Sequence, residues 1–289
     1  MAVLLWVFLA VLAGAALFQA FLYAVRWYET YDPATDGHRS WLSALSENGF
    51  KPVGAYMAEL VYSAVYAASA LVWLFVWLLK RDRAVFDPSK LTPGRPSVVL
   101  IHGIFGWPGL FWLFRRRLAA RSIVNVVTFT YKNSSLPLSD YRVGLRDLVM
   151  RIKAVTGSAE VALAGHSFGG MIAFDYAMEY GNEGEVRGVA AMGTPFGGSK
   201  LAALGLTPLA RSLHPSNPFF GLVKTLKPKA PFLNVYSVYD QFVIPWQSGA
   251  HPLADESVVV AAHGHSGFYF DYQVIKTVAE WVETKVGQK

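Results

Sequence analysis

The sequence predicts an α/β fold, a mostly parallel sheet flanked by helices, preceded by a transmembrane helical hairpin. Three observations carry this expectation. Two long uncharged runs occupy the first 90 residues. Short apolar, β-branched runs then alternate with stretches of helical periodicity. A cluster of breakers, Pro88, Pro93, Gly94 and Pro96, separates the two patterns. The division that follows is a hairpin with linker over 1–90 and a second unit over 91–289.

Val3 to Val25 holds no charge, and Gln19 is its one strongly polar side chain. At about 1.5 Å per residue it reaches roughly 34 Å, enough for a hydrocarbon core of about 30 Å. Val61 to Leu79 is a second such run, about 28 Å long by the same rise, with Glu59 just before it. A cleaved signal peptide is the rival reading of the first run. That run lacks a basic start, its apolar core is too long, and no convincing cleavage site follows. Small residues at four-residue spacing (Ala10 with Gly14, Ser63 with Ala67, Ala64 with Ala68) are compatible with close helix approach. Arg26, Arg39 and Lys51 fall between the runs, whereas Lys80, Arg81, Arg83, Lys90 and Arg95 follow the second. That bias favours a cytoplasmic second unit in an inner-membrane protein. Trp27, Tyr28, Trp73 and Trp77 suit headgroup-level aromatic belts.

From residue 97 the elements read in order. Strands are expected at Ser97–Ile101, Ile123–Thr130, Val161–Ala164, Val186–Met192, Phe232–Tyr239 and Ser257–Ala262. Helices are expected over Asp140–Thr156, with Leu145, Leu148, Val149 and Ile152 in phase, and from about Phe168 to Tyr180. A closing helix carries Val274, Val278, Trp281 and Val282. The segment 198–230 mixes Leu, Phe, Pro and Lys without a period; it reads as a cap or as a long surface connection.

Composition narrows the chemistry. Hydrophobic residues make up 53% and charged residues 16%, against about 25% charged in an ordinary soluble domain. Disorder, collagen-like sequence and an extended coiled coil are excluded. With no cysteine, so are disulfide scaffolds, cysteine nucleophiles and thiolate metal sites. No metal or cofactor site is expected. The net charge of +6 lies wholly in residues 91–289. Arg115, Arg116, Arg117 and Arg121 read as a lipid-headgroup contact or a solvated helix face; no nucleic-acid fold signature accompanies them.

The central motif is Gly165-His166-Ser167-Phe168-Gly169, between a strand and a helix. A nucleophilic serine on so sharp a turn needs glycine two residues either side, and the helix start offers free N–H groups where negative charge develops. Upstream, Leu100-Ile101-His102-Gly103-Ile104-Phe105-Gly106 runs from strand into glycine turn. The oxyanion donors are then the N–H groups of Phe168 and Ile104. His102 precedes the nucleophile and reads as a loop-ordering residue. The acid should follow the serine and precede the base. Asp240, at a strand's carboxyl end, suits the acid better than Asp175 or Asp255, with a turn-forming role as the alternative. Of two histidines in Ala262-His263-Gly264-His265, His265 lies deeper in the loop and is preferred as base, with His263 packed beneath. The roles are Ser167 as nucleophile, His265 as base and then acid, and Asp240 as tautomer-fixing partner.

Residues 97–289 resemble bacterial lipases and esterases of the α/β-hydrolase superfamily. The resemblance rests on Ile101-His102-Gly103-Ile104-Phe105-Gly106, Gly165-His166-Ser167-Phe168-Gly169-Gly170, Gly193-Thr194-Pro195-Phe196-Gly197-Gly198, Asp240 with Val243 and Pro245, and Gly264-His265. The position of Phe196 is often histidine in the family. The resemblance implies an α/β-hydrolase catalytic domain over 91–289, with 198–230 as an apolar lid. The functional expectation is a membrane-anchored serine hydrolase cleaving carboxylic esters of lipid-like acyl substrates, with the bilayer as partner. Phospholipase, lysophospholipase and acyltransferase chemistry share the same triad. A catalytically inactive hydrolase-fold binding module is the non-enzyme alternative, and a transporter subunit is poorly supported because the runs hold no midplane charge.

Overall fold

The computed structural model describes residues 2–30, 52–79, 86–131, 138–158, 160–181 and 184–286. Two apolar helices, α1 (Ala2–Thr30) and α2 (Pro52–Leu79), come first. They pack side by side: Tyr23 meets Tyr56 edge-on at 5.3 Å, and Gln19 donates to Ser63. A β-carbon at Gly14 would meet nothing within 4 Å, so the Ala10–Gly14 spacing marks no close contact. Ser63, by contrast, lies in the packed interface. Among the described residues, Val53–Phe75 is long and apolar enough to cross a membrane.

The second unit is a six-stranded sheet: β1 (Ser97–Ile101), β2 (Asn125–Phe129), β3 (Val161–His166), β4 (Val186–Met192), β5 (Phe232–Ser237) and β6 (Glu256–Val260). The strand order is 2-1-3-4-5-6 and every neighbouring pair is parallel. Helices α3 (Trp112–Ala119), α4 (Leu138–Thr156), α5 (Phe168–Tyr180) and α8 (Tyr272–Val286) cover it, with the short α6 (Pro208–Ser212) and α7 (Phe219–Val223) between β4 and β5. Alternation along a strand sends successive side chains to opposite faces. Val99 and Ile101 pack with residues of α4 and α5, whereas Val98 and Leu100 pack with those of α3 and α8. Burial on both faces is why the central strands are apolar without interruption.

The expected strands and helices are all present, with ends shifted by a few residues. α3 was not foreseen, because its Arg-rich sequence hides a short apolar face of Phe114 and Leu118. That composition also explains the arginine cluster. Arg115 donates to Val126 O and Thr128 Oγ1, Arg121 pairs with Glu280 and Glu283, and Arg117 lies 3.7 Å from Glu280. Three of the four arginines are committed to internal partners, and Arg116 lies over the Trp112 ring at 6.0 Å.

The helical pair is not a detached anchor. Along α2, Tyr62, Tyr66, Ala70 and Trp73 pack against the core shared by α3 and α8. Trp73 sits 6.2 Å from Trp107, ring to ring, so domain packing occupies a residue expected in an aromatic belt. The side chains of Trp27, Tyr28 and Trp77 lie outside the described residues, as do Arg39, Lys51, Lys80, Arg81 and Arg83.

Candidate active site

β3 ends at His166, and Ser167 follows with φ 56° and ψ −125° before α5 begins at Phe168. A non-glycine residue at positive φ is strained and is held there only by its surroundings. Those surroundings are visible. A β-carbon on Gly165 would strike the backbone of Gly169 and Gly170, and one on Gly169 would strike the carbonyls of Ile101 and His102. The two glycines let β1, β3 and α5 close on one another around the serine. Gly170 N donates to Ser167 O at 3.0 Å and Ser167 N to Met192 O at 2.8 Å. The backbone of the bend is therefore fixed on both sides.

The turn after β1 lies against this elbow. A β-carbon on Gly103 would come within 2.9 Å of Ser167 Cβ. His102 is buried, its Nδ1 is 2.9 Å from Gly103 O, and its carbonyl accepts from Tyr131. Burial pushes its pKa down, so it is a neutral strut of the loop. Gly106 N donates to Gly103 O at 3.0 Å, and Ile104 rides on the turn between them. Phe168 is the first residue of α5, so its N–H has no intrahelical acceptor.

Asp240 and His265 meet. The His265 Nδ1 and Asp240 Oδ2 atoms are 2.7 Å apart, and Asp240 is 1% exposed. The other Asp240 oxygen accepts from Phe242 N at 2.8 Å and Val243 N at 3.0 Å. The two readings of this residue are thus compatible: one oxygen builds the turn while the other grips the imidazole. Asp175 faces Arg142, and Asp255 faces Lys227 and caps Phe232 N, both far from this contact in role. His263 is fully buried, with Nδ1 2.7 Å from Gly264 O and its ring against Tyr62 and Phe268.

The His265 loop docks onto the elbow through His166. His166 Nε2 lies 3.1 Å from His265 O, and the two rings are 4.5 Å apart. Burial, then the neighbouring His265, drives the His166 pKa well below the ordinary histidine value. Among the described residues, Ser167 Oγ makes no hydrogen bond. Such bonds are commonly long before substrate binds and tighten in the complex.

Sequence reasoning missed a polar cluster around this loop. Gln241 Oε1 accepts from His265 N at 3.0 Å, and Gln241 Nε2 donates to Glu59 at 2.8 Å and to Gln19 at 2.9 Å. Glu59, on α2, is fully buried. The available signal was a lone carboxylate inside an otherwise apolar helix, which calls for a partner. Beside Phe168, an apolar cavity of about 280 Å³ is lined by Leu138, Met171, Leu209, Leu213 and Phe219. Phe196 is fully buried and packs edge-on against Phe174 and His251.

The sequence matches the model of the alpha/beta hydrolase family over residues 98–282. Among solved structures, a gene product from Listeria innocua is similar at TM-score 0.51 and 16% identity, over 65% of this chain and 94% of that one. The mature lipase BlEst2 of Bacillus licheniformis is similar at TM-score 0.52 and 15% identity, over 67% and 92%. Lipase B of Aspergillus fumigatus is similar at TM-score 0.54 and 19% identity, over 71% and 56%. At these identities the likeness is one of fold. No curated protein matches the sequence.

Proposed function

The chain belongs to the alpha/beta hydrolase family, and from that premise we propose that it is a membrane-anchored serine hydrolase of lipid-like carboxylic esters. The observation that carries the reading is the Asp240–His265 hydrogen bond beside a serine held at positive φ. In this reading Ser167 Oγ attacks the ester carbonyl carbon while His265 Nε2 takes the hydroxyl proton. Asp240 keeps the proton on Nδ1 and stabilises the imidazolium. The Ile104 and Phe168 N–H groups receive the negative oxygen of the tetrahedral intermediate. Its collapse breaks the C–O bond, and His265 returns the proton to the leaving alcohol. Water, activated by the same histidine, then releases the acid and restores Ser167.

The apolar cavity beside Phe168 supports an acyl substrate. Seven of the ten residues lining it, from Pro208 to Phe220, belong to the 198–230 segment, the placement expected of a lid. The membrane setting is supported by the outer flank of the helical pair, where Trp6, Leu17, Phe21, Val53, Val61 and Phe75 are exposed. Because Tyr62 to Trp73 lie along the catalytic unit, this reading sets the mouth of the site at the lipid boundary. The Lys and Arg distribution argues for the cytoplasmic side of an inner membrane.

Ser167→Ala is expected to abolish hydrolysis of acyl esters of graded chain length while leaving membrane partition unchanged. Retention of most of the activity would remove Ser167 as nucleophile. A wild-type protein whose Ser167 resists a fluorophosphonate would favour the binding-module alternative.

A further inference from the structure

Glu59 is charged chemistry in an unlikely place, a fully buried carboxylate on an apolar helix. Burying such a group without partners costs several kcal/mol, so its partners indicate what it is for. Its Oε1 accepts from Ser266 N at 2.8 Å, from Gln241 Nε2 at 2.8 Å and from Ser63 Oγ at 3.3 Å. Its Oε2 accepts from Gly267 N at 3.2 Å. Two of the four donors are the backbone N–H groups directly after His265. A third is the amide of Gln241, the residue directly after Asp240. The same Gln241 accepts from His265 N at 3.0 Å.

We infer that Glu59 is a positioning residue for the proposed general base, a clamp through which the N-terminal helical pair holds the His265 loop in register with Asp240. The donor count fixes its polarity. Gln241 spends its oxygen on His265 N and its amide hydrogens on Glu59 and Gln19. This orientation holds only while Glu59 offers acceptors alone. A second brace reaches the other side of the site. Tyr66, two turns along α2, donates to Phe105 O at 3.2 Å in the turn that carries Ile104. A third comes from α1, where Tyr23 donates to Tyr239 O at 3.2 Å and Arg26 to Val238 O, just before Asp240. The helices proposed as an anchor therefore touch the acid, base and oxyanion loops together. Extraction of the pair from its setting would loosen the catalytic geometry itself.

The inference rests on the reading of His265 as base, and the test separates the two. Full-length protein in detergent is compared as wild type, E59Q, Q241E and the double variant E59Q/Q241E. In E59Q one acceptor oxygen replaces two: left with Gln241 Nε2 and Ser266 N, it puts the new amide against Gly267 N, donor to donor, and turned to Gly267 N it puts the amide against Ser266 N and Gln241. In Q241E two carboxylates face each other. In the double variant the amide at position 59 can donate to the carboxylate at 241, which still accepts from His265 N, so the contact between the two side chains is restored while one backbone N–H after His265 lacks its former acceptor. Each single variant is expected to lose between about ten- and a hundred-fold in kcat, the scale of a misplaced catalytic group. KM should stay within about two-fold, since the lost interaction belongs to the transition state. The double variant should lose less than the product of the two single losses, a coupling that independent sites do not show. Amide exchange over residues 264–267 should quicken in E59Q. Wild-type kcat in E59Q, or losses that simply multiply in the double variant, would overturn the clamp and leave the hydrolase reading standing. A wild-type protein with an unlabelled Ser167 would overturn the hydrolase reading, and the exchange rates alone would then decide whether Glu59 orders the loop.

Discussion

The two halves of the molecule are built inside out with respect to each other. In the hydrolase half the sheet interior is apolar: Val99, Ile101, Leu163 and Val189 are fully buried, and the buried carboxylates Asp240 and Glu185 are paired. In the helical pair Leu17, Phe21, Val61 and Phe75 face outward, while Gln19, Arg26, Glu59 and Ser63 are buried. Water would penalise that arrangement, because exposed apolar surface costs about 25 cal/mol per Å². Lipid would not, and polar groups turned inward are then the ones able to hold something. What they hold is the set of loops at the carboxyl ends of β1, β5 and β6. The hydrolase half thus brings the proposed reacting groups together by topology, and the proposed clamp ties the pair to their loops.

The largest expected effect tests the hydrolase half alone. Asp240→Asn keeps the oxygen that accepts from Phe242 N and Val243 N, so the turn should survive. It removes the charge that holds the His265 tautomer and stabilises the imidazolium. A fall of about 10⁴-fold in kcat is expected, with an unchanged melting temperature. A loss below tenfold would detach Asp240 from the chemistry.

This contrast also governs what the sequence revealed. The sheet was legible because the central strands are buried on both faces and so are largely apolar, and β1, β4 and α5 coincide with the expected spans. The elbow was legible because close approach of backbone to backbone admits only glycine at 165 and 169. The Asp240–His265 contact could be ordered along the chain, but its distance could not be read there. The clamp was illegible for a different reason. Glu59 lies 182 residues from Gln241, and hydropathy patterning treats a carboxylate near a helix end as an interfacial residue, with no account of what packs against it. α3 escaped because it is eight residues long, with three consecutive arginines between its two buried positions, Phe114 and Leu118, and so leaves almost no periodic signal.

A pH experiment sharpens the difference at the next scale. His102, His166 and His251 are buried and burial lowers the pKa of each. Unfolding restores the ordinary value of 6.5, so below it the unfolded chain binds protons that the folded one refuses. Stability is therefore unaffected well above that value and falls as pH drops beneath it, most of all through His166, whose pKa burial drives furthest down, with a ceiling of about 1.4 kcal/mol per pH unit for a single histidine. α1 and α2 contain no histidine, so the loss belongs to the hydrolase half. Denaturant titrations at pH 7.5 and 5.5 should show it, and His251→Gln should lessen the slope while leaving the part due to His166. A flat profile would mean that these histidines are hydrated.

The smallest effect asks whether the pair is inverted as described. Leu17 is 73% exposed and Gln19 is 3% exposed, two residues apart on α1. Gln19→Leu removes the acceptor for Gln241 Nε2 and the donor to Ser63. In detergent it should cost about 1–3 kcal/mol, the usual penalty for stranding buried polar partners. Leu17→Gln touches no partner and should stay within about 0.5 kcal/mol there. Vesicle flotation should reverse the order, because an added amide on the outer flank must enter lipid while the inner change stays hidden. Equal costs in detergent, or equal flotation, would mean that the two flanks meet the same surroundings, and the inversion from which the bracing argument starts would be lost.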